Sequence, residues 1–217
     1  MKKIFTPLFL VIPILLFSQV DSTEIYFKSI ENEDLKTICD LSDIQITKII
    51  CKDTLLKNKV FNLVFKEYKK GKITSVENLN ISNFEQRIPF IVNGDTMIYV
   101  INMVEKAGFG EGTDSLVISL AGIYKDNIFK LNIQYPGLTI SKNLKGKKDY
   151  QLREVYSCFD SKIKIPIKKE YPILAYTPPF DTGSSLKSYC MLGDEKVELW
   201  YEKFKLKHYY AIYIEIK

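Results

Sequence analysis

An antiparallel β-sandwich is the fold this sequence predicts, and three observations predict it. From residue 44 onward the dominant hydrophobic period is two. Turn-forming residues punctuate the alternating runs at short intervals. Helical spacing occurs in only three places, each about ten residues long. With 46% hydrophobic and 26% charged residues over 217 positions, the chain can bury a proper core. That balance excludes a disordered tail, a collagen-like fibre and a multispanning membrane protein.

The first segment is not part of the fold. Lys2 and Lys3 precede an apolar run from Phe5 to Phe17, which Ser18-Gln19 closes. A basic start, a short apolar stretch and a small-residue site make residues 1–19 a secretory signal peptide. The run is shorter than the roughly 20 residues a membrane-spanning helix needs. Cleavage there leaves residues 20–217 as a single domain of net charge roughly +3. No later stretch approaches spanning length, so a periplasmic or extracellular protein without a membrane span is expected.

Export bears on the four cysteines, Cys39, Cys51, Cys158 and Cys190. An even count in an oxidising compartment predicts disulfides, with three pairings open. Cys39–Cys51 and Cys158–Cys190 are favoured, because each joins segments close in the chain. On the loop-entropy model they would contribute about 3 and nearly 4 kcal/mol. No C-x-x-C occurs and the chain has one histidine, so neither a metal site nor a cofactor is expected.

Along the domain, Ile30, Leu35, Ile38 and Cys39 lie roughly on one side of a short helix. Phe61, Leu63 and Phe65 alternate with polar neighbours, and Lys69-Lys70-Gly71-Lys72 turns the chain into the next run. Asn93-Gly94-Asp95 makes a second hairpin, followed by Met97 to Val104, apolar on both faces and so suited to a strand covered on both sides. Lys125-Asp126-Asn127 makes a third, before Phe129, Leu131, Ile133 and Tyr135, a half-buried strand. Residues 150–159 carry helical spacing at Leu152, Val155, Tyr156 and Phe159. Ile163, Ile165 and Ile167 alternate with lysines and Pro166, whose missing N–H puts that strand at an edge. Val197, Trp200, Tyr201 and Phe204 repeat the helical spacing behind Asp194, a candidate N-cap. Lys207 to Ile216 is the terminal strand. About nine or ten strands joined by hairpins favour a sandwich, with a closed barrel second.

Chemistry is sparse. Phe180-Asp181-Thr182-Gly183-Ser184-Ser185 resembles the active-site turn of aspartic proteases, whose mechanism needs two aspartates sharing a proton. No second such motif exists, and Pro178-Pro179 with Gly183 reads as a surface turn. Gly108 to Gly112 lacks the spacing of a phosphate loop. His208 has no G-x-S-x-G partner and reads as a structural histidine on the terminal strand. Lysine clusters at 66–72, 142–148, 162–169 and 203–207 read as solvated, edge-guarding residues. With Arg87 and Arg153 the only arginines, no nucleic-acid partner is expected. Tyr209 and Tyr213 share one face of the terminal strand, and with Trp200 and Tyr201 they could form a half-wet platform for a sugar or a protein. The expectation is an exported, non-catalytic binding domain of a bacterial envelope, with a glycan or protein partner. A carboxylate-dependent hydrolase using Asp181, an immunity or inhibitor protein, and a ligand-carrying barrel are the alternatives; oligomeric state is open.

Overall fold

The computed structural model describes residues 22–53, 56, 59–79, 85–102, 115–136, 138–155, 162–181, 187–188 and 195–217. The described residues are mostly β, with two antiparallel sheets packed face to face and no closed barrel among them. The first sheet holds β1 (Ser22–Lys28), β2 (Ile44–Cys51), β7 (Leu116–Lys125), β8 (Ile128–Tyr135), β9 (Leu138–Lys145) and β11 (Lys162–Pro166). Their spatial order is β11-β1-β2-β7-β8-β9. The second sheet, in the order β10-β12-β15-β3-β4, is built from β3 (Phe61–Lys69), β4 (Lys72–Leu79), β10 (Gln151–Glu154), β12 (Tyr171–Thr177) and β15 (His208–Ile216). A short pair, β13 (Phe180–Asp181) and β14 (Lys187–Ser188), and a hairpin of β5 (Glu85–Val92) and β6 (Asp95–Asn102) complete the β structure.

Alternation decides which side of each strand is dry. Phe129, Leu131, Ile133 and Tyr135 of β8 meet Leu116, Ile118 and Leu120 of β7 on the inner face of the first sheet. Phe61, Leu63 and Phe65 of β3 and Ile212, Ile214 and Ile216 of β15 press against them from the second. The hairpins 70–71, 93–94 and 126–127 have positive φ at both central residues, as Lys70-Gly71, Asn93-Gly94 and Asp126-Asn127. Positive φ at both positions is the type I′ turn, whose twist matches the flanking strands. The edge position expected for Ile163–Pro166 is observed, with β11 outermost in its sheet.

Among the described residues two helical segments form. The helix α1 (Glu33–Leu41) starts at Asn32, whose side chain accepts from the Leu35 N–H, and Glu33 and Asp34 face the positive end of its dipole. A 3-10 turn, Val197–Leu199, runs into α2 (Trp200–Phe204), which ends at Lys205 in the left-handed region. Asp194, the expected cap, lies outside the described residues. Residues 151–154 are strand and not helix, because Leu152 is needed opposite Tyr176 at the sheet edge. Among the described residues no helix is long and apolar enough to cross a membrane.

The helical segment overturns one expectation. It lies across the outer face of the second sheet and closes a second core of Val64, Tyr68, Val197, Trp200, Leu206, Tyr209, Ala211 and Tyr213. Trp200 and Tyr209 are 0% exposed and Tyr213 is 6% exposed, so the aromatic face is interior.

The Cys39–Cys51 bridge is also not formed, and both are free, buried thiols. Cys39 sits on α1 beside the start of β2, in a recess shared with Ile44, Gln45 and Ile46. Cys51 ends β2, about 23 Å further along at the usual rise per residue. A disulfide needs Cα atoms within about 7 Å. Burial pushes the Cys51 thiol up to about 12, as suits a core side chain. Cys158 and Cys190 lie outside the described residues.

Candidate functional site

A concavity lies at one end of the sandwich, where three connections meet. Lys145 ends β9, Lys147, Asp149 and Tyr150 come from the β9–β10 connection, Pro178 to Asp181 from the β12–β13 corner, and Phe204 to His208 run from the end of α2 to the start of β15. The space measures about 470 Å³ and opens to solvent, within the range of small-ligand sites. Its apolar wall is Pro178, Pro179 and Phe204, all partly exposed, over buried Leu206. Its rim is basic: Lys145, Lys147, Lys205 and Lys207. The Lys205 ammonium donates to the Glu202 carbonyl at 2.9 Å. The left-handed backbone of Lys205 (φ 58°) turns the chain there.

Behind the rim runs a hydrogen-bonded chain. The His208 Nε2–H donates to Glu67 Oε1 at 3.0 Å, which leaves Nδ1 to face the Tyr150 hydroxyl at 3.2 Å. The same hydroxyl donates to the His208 carbonyl at 3.0 Å. Tyr210 also donates to Glu67 Oε1, and its oxygen accepts the Lys145 N–H. This ties β3, β15 and the β9–β10 connection into one rigid back wall. Partial burial pushes the Glu67 carboxyl up, but bonds from Lys69, His208 and Thr74 outweigh it and hold Glu67 below the usual carboxylate range. Burial pushes Tyr150 up to about 12, with the Asp149 charge adding to it, so the phenol stays a neutral donor.

Close approach shapes the floor. A Cβ on Gly146 would lie 2.6 Å from the Tyr176 ring, so only glycine lets the connection pass over that ring.

Glu154, on edge strand β10, is raised by burial to about 7 against the pull of Arg153. The folded state therefore holds this proton more tightly than the unfolded chain. Stability from this group is fully present below about pH 4.5 and falls as pH rises toward 7. Because the side chain is only half-buried, screening reduces the effect to about 1 kcal/mol. Glu154→Gln is expected to be more stable than the parent by that amount at pH 8 and equal to it at pH 4, measured by urea unfolding.

Of the residues the sequence singles out, Asp181 is exposed and lines this pocket together with Asp149. His208 lines it too, and on its strand it shares a face with Tyr210 and Ile212. Trp200, Tyr209 and Tyr213 do not reach it; Tyr201 is half-buried beside Gly71. Glu67, Tyr150 and Lys147 carry no motif, and only the lysine clusters at 142–148 and 203–207 foreshadow the rim. Among the described residues no group of three His, Cys, Asp or Glu side chains could hold a metal. No known protein family, curated protein or solved structure matches this chain.

Proposed function

We propose that the protein is an exported, non-catalytic binding domain of a bacterial envelope whose ligand is an acidic glycan held in the end pocket. One observation carries the reading: four lysines, Lys145, Lys147, Lys205 and Lys207, line the pocket beside an apolar wall of proline and phenylalanine and outnumber its two aspartates, Asp149 and Asp181. Apolar side chains accept the carbon-rich face of a sugar ring, while ammonium groups meet its carboxylate or sulfate substituents. The Glu67–His208–Tyr150 chain supports it by fixing the back wall before a ligand arrives. Export rests on the leader at residues 1–19.

Calorimetric titration with a uronate or sulfated oligosaccharide and its neutral counterpart tests this. Binding is expected for the acidic sugar alone, weakening as salt rises. The double change Lys147→Glu with Lys207→Glu should lower affinity about tenfold or more, or about 1.4 kcal/mol. Equal binding of both sugars, or of neither, would reject the reading. A second reading has one observation in its favour, since two carboxylates, Asp149 and Asp181, line the same pocket. Were the oligosaccharide shortened during titration, and Asp181→Asn to stop it, a hydrolase would replace the binding domain.

A further inference from the structure

Among the described residues the strands of the β5–β6 hairpin, eight residues each, pair only with each other. The hairpin also carries many of the exposed large apolar side chains among the described residues. Ile88, Phe90, Val92, Met97 and Tyr99 share one face at 39–59% exposure, and Ile91 and Ile98 stand on the other at 75% and 59%. A two-stranded hairpin alone is marginal in water, and an apolar surface of this extent marks a place of contact.

Its two edges differ. The type I′ turn makes Val92 and Asp95 a hydrogen-bonded pair, so pairs alternate away from it: Phe90 with Met97 is bonded, Pro89 with Ile98 is not. The unbonded positions turn their N–H and C=O groups outward. On β5 one of them is Pro89, which has no N–H, with Arg87 beside it, so that edge is guarded. On β6 they are Thr96, Ile98, Val100 and Asn102, all able to pair. The outer strands of both main sheets carry guards: Lys142 and Lys145 on β9, Lys162, Lys164 and Pro166 on β11, Lys72 and Glu77 on β4, Arg153 and Glu154 on β10. Past Asp95 at the turn, β6 carries no charge at all, and an unguarded edge invites another strand.

An added strand matches those outward groups, whereas a lipid bilayer would leave them without partners. The register of β6 suits its own copy. With a two-fold axis at Tyr99, Thr96 of one chain faces Asn102 of the other, and Ile98 faces Val100. Every outward backbone group from 96 to 102 is then matched, and the two Asp95 residues sit at opposite ends of the seam. The area agrees. At roughly 150–250 Å² per large side chain, the exposed fractions amount to about 650 Å² per hairpin. Two hairpins hold about 1,300 Å², of which edge pairing covers about half, a small contact that suits only a weak association. We propose that the β5–β6 hairpin joins two copies of this chain, β6 against β6 about a two-fold axis through Tyr99, in a weak, micromolar dimer.

Sedimentation velocity on the purified protein, from low to high micromolar, tests this. A monomer–dimer equilibrium is expected. Tyr99→Lys and Tyr99→Glu, at a 59% exposed position, should each stay folded by circular dichroism and be monomeric, because like charges then face each other across the axis. Mixed in equal amounts, the two variants should recover the dimer. A parent protein monomeric throughout the range would overturn the proposal, as would a dimer that Tyr99→Lys leaves intact or a mixture that stays monomeric. These outcomes are independent of the end pocket.

Discussion

Trp200→Ala is expected to lower stability by about 3–5 kcal/mol, the range for deleting a large aromatic from a core. The indole is fully buried and leans on the Tyr209 ring at 5.3 Å, which in turn stacks on Tyr68 at 4.9 Å. Its N–H donates to the Glu195 carbonyl at 3.1 Å, so truncation also orphans an acceptor. The helical segment is also held by buried Val197 and Leu206, by Phe204 with its ring 4.7 Å from that of Phe180, and by the Tyr209 hydroxyl, which donates to the Val197 carbonyl at 2.7 Å. For a domain of this size the loss corresponds to about 6–20 °C in melting temperature. Urea and thermal unfolding give the magnitude. Fluorescence gives an independent check, since the only tryptophan should emit as a buried indole in the parent. A loss under about 1 kcal/mol with solvent-exposed emission would mean that this face is open, as the sequence alone suggests.

That contrast shows where sequence reading reaches. Phe129 to Tyr135 and the three type I′ turns are legible because pleat and turn geometry act over a few residues, and the structure follows them. Tyr209, Ala211 and Tyr213 show the limit. Alternation says that they share a face, which they do, but not that the segment just before them folds back over it. The same applies to the cysteines. Cys39 and Cys51 are close in sequence, yet an extended strand carries them apart, and sequence separation is a poor measure of distance once a strand intervenes. The end pocket depends on three connections meeting, so the lysines at 145–147 and 205–207 read singly as solvated edges and only together as a rim. The β6 edge was half legible: Met97 onward reads as covered on both faces, whereas the described residues leave Met97, Ile98 and Tyr99 exposed.

Gly122→Ala is expected to cost about 3 kcal/mol, the upper part of the range for overpacking a core. Gly122 lies on the inward face of β7, and a Cβ built there would stand 2.1 Å from Phe129 Cζ and 2.6 Å from its Cε1. Contact at van der Waals distance begins more than an ångström further out, so the ring has to move. It has no room to do so. Phe129 stacks on Tyr176 of the opposite sheet at 4.3 Å, and Tyr176 is pinned by Tyr150 at 5.3 Å and by the Gly146 backbone. The two glycines thus bracket one aromatic pair that bridges the sheets beside the pocket. Phe129→Leu removes the ring and should relieve the clash, so the double variant is expected to show a coupling energy of at least about 1 kcal/mol in a thermodynamic cycle. Gly94→Ala is the control, since a Cβ there meets nothing within 4 Å and only its φ of 90° opposes the change. Its cost should stay near 1 kcal/mol, the usual penalty for placing an L side chain in that conformation. Were Gly122→Ala as mild as the control, Phe129 would have to occupy some other place than against β7, and the packing of the two sheets described above would be wrong at its centre.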